Sequence, residues 1–246
     1  MPEPAGSDLP GTRDPDPDCA ICPRLSSFRG ANRRAFRDWH NAPVPSFGGI
    51  EASLLIVGLA PGLKGANRTG RPFTGDHAGE LLYRTLIRFG LAEGRFEGEA
   101  DDGLVLRGCR ITNAVRCVPP ENKPTPLEVA NCRRFLGAEI AALRSLRTIL
   151  ALGAIAHDAV VAVFGLRRRD APFRHGASHA LPGGVILADS YHCSRYNTNT
   201  GRLTREMFEA VVAGVHPAHP TVPGADARRS PPGSDPTAGA DARSRI

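Results

Sequence analysis

Four of the six cysteines are spaced as a set of metal ligands. Cys19 and Cys22 form a Cys-x2-Cys pair, Cys117 follows an apolar run, and Cys132 comes fourteen intervening residues later. Four thiolates suit either zinc or an iron–sulfur cluster, and in a chain expected to work inside the cell such a set reads as metal-binding rather than as disulfides. From the residues alone zinc, iron–sulfur and, for Cys117 and Cys132, plain buried thiols all stay open. Two ligands from the N-terminal segment and two from a strand–loop–helix unit would tie the start of the core to the rest, which is a structural duty. Cys109 and Cys193 stand at no telling spacing and read as small core residues.

A second kind of chemistry is carried by loops. The stretch Gly58-Leu59-Ala60-Pro61-Gly62 through Pro72-Phe73-Thr74-Gly75-Asp76 is long and Gly-rich but lacks the spacing of a phosphate-binding P-loop. Gly58 and Gly62 let the backbone approach a ligand, Phe73 offers a ring for stacking, and Asp76 offers a carboxylate. Locally, Asp76 fits an N-cap for a helix starting at His77 better than it fits a catalytic role, and Phe73 fits a core aromatic. Asn113, in Thr112-Asn113-Ala114-Val115-Arg116-Cys117, has the amide donor and acceptor to read the edge of a base, or it forms a turn. His192 can donate to a developing anion, and the polar segment after it, with Arg195 and Tyr196, can press into a DNA groove.

These residues share one placement: each lies at or beyond the carboxyl end of an expected strand. Short apolar runs at 53–58, 110–115, 148–152 and 184–189 read as strands buried on both faces of a parallel sheet. Between them lie helical patterns at 77–89, 154–164 and 202–214, a less regular one at 25–39, and the clearest, which opens with Thr125-Pro126-Leu127-Glu128 as a capping box. The apolar stripe of that last helix runs Val129, Cys132, Leu136, Ile140, Leu143. Alternating strands and helices predict an α/β three-layer sandwich with a short, mainly parallel four-stranded sheet and ligands at the carboxyl ends of the strands.

Charge and composition narrow the class. Residues 1–18 carry −4 and residues 216–246 carry +1, so the formal +6 leaves +9 on residues 19–215, as expected of a surface that meets phosphates. Both ends are rich in Pro, Gly, Asp and Arg without apolar period and read as disordered tails around a single domain, 19–215. No run approaches the roughly 20 apolar residues of a membrane helix, so the chain reads as soluble and intracellular.

Taken together, GLAPGLKGANRTGRPFTGD (58–76), TNAVRC (112–117), HCSRYNTNTGR (192–202) and the four cysteines in order resemble family five of the uracil-DNA glycosylase superfamily, its iron–sulfur branch. The resemblance spans about residues 19–214. It implies a structural [4Fe–4S] cluster on Cys19, Cys22, Cys117 and Cys132, and a monofunctional hydrolysis of the N-glycosidic bond of a flipped-out base. The sister family four has a Glu where this chain has Leu59, so the resemblance passes the acidic role to Asp76, which would stabilise the cationic sugar and activate water. His192 would donate to the base carbonyl, Asn113 read its edge, Phe73 stack on it, Gly62 line the pocket and Arg195 meet the DNA. The family's last motif has Pro-Ser after the histidine, where this chain has Cys193-Ser194. No lysine stands where a Schiff-base nucleophile would.

The expected partner is therefore DNA carrying uracil or other deaminated bases, such as hypoxanthine and xanthine, bound by a monomer in the bacterial cytoplasm and drawn to the nucleoid by that DNA. Two other readings keep many of the same residues. A zinc- or cluster-stabilised nucleic-acid-binding module would need no catalysis and leave Asp76 as a cap. A small-molecule hydrolase would act on free nucleosides or nucleotides.

Overall fold

The computed structural model describes residues 14–216. The tails expected to be disordered lie outside these residues for 1–13 and 217–246. Residues 14–18, counted with the N-terminal tail on composition, are held against the body: Asp14 pairs with Arg116 at 3.0 Å and Asp18 with Arg33.

The chain runs α1 (Pro23–Ala35), β1 (Leu54–Gly58), α2 (Ala66–Thr69), α3 (His77–Arg88), a two-stranded ribbon of β2 (Ala92–Glu93) and β3 (Val105–Leu106), β4 (Cys109–Asn113) and α4 (Pro126–Ala142). It continues through β5 (Thr148–Leu152), α5 (Ala154–Val163), β6 (Ser178–Ala180), β7 (Ile186–Ser190), α6 (Arg195–Asn199) and α7 (Arg205–Val215). The main sheet has the order β4-β1-β5-β7-β6, parallel except for β6. It has five strands where four were expected. The added strand, Ser178-His179-Ala180, is short, partly exposed and polar, and an antiparallel edge of that kind carries no run of apolar residues to read.

Alternation along each strand builds the layers. Leu54 and Ile56 of β1 face a core shared with Leu82, Tyr83 and Leu86 of α3 and Phe208 and Val212 of α7. Leu55 and Val57 face the opposite core, with Leu136 of α4 and Ala156, Ala159 and Val160 of α5. The capping box at the head of α4 is formed as the sequence predicts, Thr125 accepting from the Glu128 N–H and Glu128 from the Thr125 N–H. The expected helix at 25–39 ends at Ala35, after which Phe36 and Trp39 stack on each other across a turn, with ring centroids 4.0 Å apart. No helix among the described residues is long and apolar enough to cross a membrane.

One arrangement decides where chemistry can occur. Neighbouring strands β1 and β5 send their following helices, α3 and α5, to opposite faces of the sheet. Their loops therefore part at the carboxyl edge and leave a crevice there.

Candidate active site

A cavity of about 300 Å³ opens at that crevice, bounded by Leu59 after β1, Leu152 to Ala156 at the head of α5, and Tyr191 and His192 after β7. Against His192 sits a tightly packed cluster around Gly58 that does not border the cavity. Gly58 is the register partner of Asn113 at the ends of β1 and β4. A Cβ on Gly58 would fall 2.4 Å from Asn113 Oδ1 and 2.5 Å from the Phe73 ring, so only glycine lets the amide and the ring share this space. Phe73 is buried with φ at +55°, and its ring lies over the His192 imidazole at 5.9 Å and 29°. Four sequence-predicted residues, Gly58, Phe73, Asn113 and His192, are thus one contact group.

Asp76 stands on the same loop three residues beyond Phe73, and its reading as a helix cap is met. One oxygen, Oδ1, caps α3 by accepting from the Ala78 N–H at 3.1 Å. The other, Oδ2, faces the backbone of Gly62 and Gly65, where added Cβ atoms would lie 3.0 and 2.4 Å from it. Burial raises the Asp76 pKa above the usual carboxylate value, against the hydrogen bonds from Gly79 and Ala78. Burial also lowers the His192 pKa, to about 4, so its ring is neutral near pH 7 and one nitrogen carries a proton to donate. The His192 carbonyl accepts from Asn197 Nδ2 at 2.9 Å, and Thr198 of the same short helix meets His77 Nε2 at 3.0 Å, which fixes the end of β7 against the head of α3. Cys193, where the resembled family has proline, is fully buried in the core beside α3 and α7. Arg195 and Tyr196 stand exposed on the turn beyond, Tyr196 at 71%.

Sequence reasoning missed the residues that hold this group in place. Arg71 makes a bidentate pair with Asp102 at 2.7 Å through both terminal nitrogens, donates Nε to Thr74 Oγ1 at 2.8 Å, and lies within 6 Å of the Phe47, Tyr83 and Phe96 rings. Tyr83 donates its hydroxyl to the Pro72 carbonyl at 2.6 Å. Residues on both sides of Phe73 are therefore clamped, which offsets its unfavourable left-handed backbone. The Arg71 hydrogen bonds hold the Asp102 carboxyl down to about pKa 2.

The second missed group is His157, Asp189 and His179. The two ring nitrogens of His157 meet Asp189 Oδ1 and the Ala171 carbonyl, both at 2.7 Å. Burial favours the neutral ring, but the hydrogen bond and charge of Asp189 outweigh it and raise the pKa. Acceptors on both sides favour the protonated ring, which can donate from each nitrogen. At 2.7 Å the histidine and carboxylate are in direct hydrogen-bond contact, with no room for an ion between them. The signal was present in outline: a histidine within the apolar Ala154–Val163 helix and an aspartate at the end of an apolar strand are polar groups in buried places.

The cysteines form a separate centre at the head of α1. Cys19, Cys22, Cys117 and Cys132 line one small apolar hollow with Leu25, Val115 and Phe135, and all are free thiols. Burial pushes Cys117 up to about 11 and Cys132 up to about 12, and the neighbouring cysteines add to both shifts, so four thiolates here need a cation. Donors already point at the sulfurs: the Arg116 N–H to Cys132 at 3.3 Å, Asn131 Nδ2 to Cys22 at 3.6 Å and Arg29 to Cys117 at 3.7 Å. Arg29 was missed, although it falls on the buried Leu25, Arg29, Asn32 stripe of α1. A single tetrahedral zinc would draw its four sulfurs to roughly 3.8 Å from one another, given Zn–S bonds near 2.3 Å. Among the described residues, only His157, His179 and Asp189 bring three donor atoms within 4.8 Å of one another. The four sulfurs share one hollow, and a set of four thiolates accepts either a single zinc or an iron–sulfur cluster.

Comparison with known proteins agrees with this architecture. Residues 45–215 match the family model described as the uracil DNA glycosylase superfamily. The chain is 51% identical to a type-5 uracil-DNA glycosylase of Thermus thermophilus over 199 residues, covering 79% of this chain and 90% of that protein. Proteins of the same description from Pyrobaculum aerophilum and Mycobacterium tuberculosis are 42% and 43% identical, covering 79% and 78% of this chain and 86% and 75% of their own lengths. With a sheet, a carboxyl-edge site and a sequence all in accord, the chain belongs to the uracil DNA glycosylase superfamily, among its type-5 uracil-DNA glycosylases.

Proposed function

We propose that the protein removes uracil from DNA by hydrolysing its N-glycosidic bond, and that Asp76, Asn113, Phe73 and His192 carry the reaction. The observation that carries the reading is the packing of the Asn113 amide and the Phe73 ring on Gly58, with the neutral His192 imidazole stacked on that ring and the Asp76 carboxylate on the same loop. Bond cleavage develops positive charge on the sugar and negative charge on the departing base. The Asp76 carboxylate, poorly solvated, stabilises the first and orients water, while the His192 N–H meets the second. Being neutral, His192 donates without adding a positive charge beside the sugar cation. The Asn113 amide matches the donor–acceptor edge of uracil, and Phe73 supplies its stacking face. In a duplex the nucleotide flips out first, at a cost lowest for mispaired bases, which favours products of deamination. Hypoxanthine and xanthine belong to the same class, and their excision is part of the proposal.

Cys19, Cys22, Cys117 and Cys132 are the residues that would hold a [4Fe–4S] cluster, which supplies four bonds that staple α1 to β4 and α4. Arg29, Asn131 and the Arg116 N–H would donate to the thiolates, and Arg29 would add a positive charge beside Cys117. Arg195 and Tyr196 meet the DNA from the exposed turn beyond His192.

The test is a panel of oligonucleotides, each with one altered base, alongside free deoxyuridine. Release of free base from the uracil oligonucleotide and not from deoxyuridine is expected. Turnover of deoxyuridine alone would favour a nucleoside hydrolase, and binding of DNA without release of base a non-catalytic module.

A further inference from the structure

Helix α1 leads from the cysteine centre to the rim of the active site. Cys22 is its N-cap, and its last turn carries Arg33 and Arg34. Beyond it, Asn41 takes a left-handed backbone with φ at +41° and draws the turn together, donating Nδ2 to the Phe36 carbonyl at 2.6 Å while its own carbonyl accepts from Arg33. The same turn is fastened to the catalytic loop. His40 N–H donates to Arg68, Asn41 N–H to Asn67, and Asn67 Nδ2 to Asn41 Oδ1 at 2.9 Å.

Its height on the molecule follows from the sheet. Phe47 pairs antiparallel with Ile111 in the middle of β4, and Val44 N–H donates to Arg116, past the carboxyl end of that strand. Residues 36–41 therefore lie at the carboxyl edge, the edge at which Asn113, Asp76 and His192 act. What this turn presents there is a stacked pair, Phe36 and Trp39, with Phe36 38% exposed, flanked by Arg34 and Arg37. Both arginines are exposed, and neither has an ion-pair or hydrogen-bond partner among the described residues. Exposed Asp38 is the only acid within 34–39.

We propose that Arg34, Phe36, Arg37 and Trp39 form a docking surface for unpaired nucleotides that flank the target base. A preformed aromatic stack is a platform that a further base can extend, and two unpaired guanidinium groups suit the phosphates on either side of it. Bases inside a duplex keep their faces against one another, so a platform of this kind distinguishes an unpaired flank from a paired one. The proposal rests on the glycosylase reading, and it gives the cysteine centre a second consequence, since that centre anchors the helix that carries the platform.

Trp39 is the only tryptophan of the chain, so its fluorescence reports on this surface alone. Emission from the Asp76→Asn protein is expected to be quenched, to saturation, by a single-stranded oligonucleotide containing one uracil, and little by the same uracil in a blunt duplex. In an otherwise unaltered chain, Trp39→Leu should lower kcat/KM on the single strand by about tenfold, the value of one stacked base, with the blunt duplex unchanged. If Trp39→Leu fails to fold, Arg37→Gln, a change on the exposed turn, carries the same comparison. Emission indifferent to the single strand, or equal losses on both substrates, would overturn the proposal, and it would also send the search for this surface's partner to proteins. Absence of free uracil from either substrate with the unaltered protein would instead overturn the glycosylase reading.

Discussion

Replacing Gly58 by alanine adds one methyl group at the point where the site is most crowded. The new carbon would stand 2.4 Å from Asn113 Oδ1 and 2.5 and 2.7 Å from Cζ and Cε2 of Phe73. Carbon atoms pack comfortably at roughly 3.5–4.0 Å, so both neighbours must retreat by about an ångström. Neither has room. Asn113 is 3% exposed, and Phe73 is held by the Tyr83–Pro72 hydrogen bond and by its own carbonyl, which packs so close to Gly79 that a Cβ there would come within 1.8 Å. Overpacking of a filled core costs about 1–3 kcal/mol. A displacement of about 1 Å in a positioned group can cost on the order of a hundredfold in rate. Gly58→Ala should therefore fold with stability reduced by about 1–3 kcal/mol in a denaturant titration and excise uracil about a hundred times more slowly or worse in single turnover. Its affinity for undamaged DNA, set by surface cations, should be unchanged. A Gly58→Ala protein with full excision rate would refute the reasoning, because the amide and the ring would then be unnecessary at these positions.

Other perturbations reach separate parts of the account. Arg71→Met removes the charge partner of the buried Asp102 carboxylate, leaving it the Glu97 and Leu104 N–H donors, and should cost about 3–5 kcal/mol in urea unfolding. Because the Asp102 pKa is lowered from 3.8 to about 2, its contribution is present above pH 4 and lost as pH falls towards 2, and that acid loss should be smaller in the variant, which keeps only the Glu97 and Leu104 N–H donors. In single-turnover pH profiles, excision should fall on the acid side at a pH above the ordinary carboxylate range, since Asp76 is raised, with no break near 6.5 from His192. The depressed His192 pKa also favours the fold above pH 6.5, and this contribution should fade as pH drops from 6.5 towards 4 in thermal melts. Protein purified without air should be brown and contain iron, and Cys117→Ser should lose both iron and melting temperature; a colourless protein with stoichiometric zinc would contradict the cluster.

The parts of this molecule that were legible in the sequence are those whose signal is local. Apolar runs marked β1, β4, β5 and β7 to within two residues because each is buried on both faces. Thr125 and Glu128 announced α4 because a capping box is complete within four residues. Phe73, Asp76 and His192 were visible as loop residues and Asn113 as a polar residue near a strand end, and the structure packs Phe73 against both His192 and, around Gly58, Asn113. The clamps were not visible. Arg71 and Asp102 are separated by 31 residues and His157 and Asp189 by 32, and nothing in either neighbourhood names the other partner. Strand β6 escaped because its pairing with β7 is set by the neighbour and not by its own side chains. The cap at Asp76 is one use of a carboxylate with two oxygens: Oδ1 caps α3, and Oδ2, facing Gly62 and Gly65, is the one the proposed catalytic role would employ.

That division of labour makes Asp76→Asn the most direct test. Asparagine caps a helix about as well as aspartate, so Oδ1 can still accept from the Ala78 N–H while the charge facing Gly62 and Gly65 is removed. Single-turnover release of uracil from a U·G duplex, measured beside thermal melting, separates the two. The account predicts an unchanged melting temperature with excision slower by on the order of a hundredfold or more. An Asp76→Asn protein that melts normally and excises uracil at the unaltered rate would contradict it, leaving Asp76 only as the cap of α3.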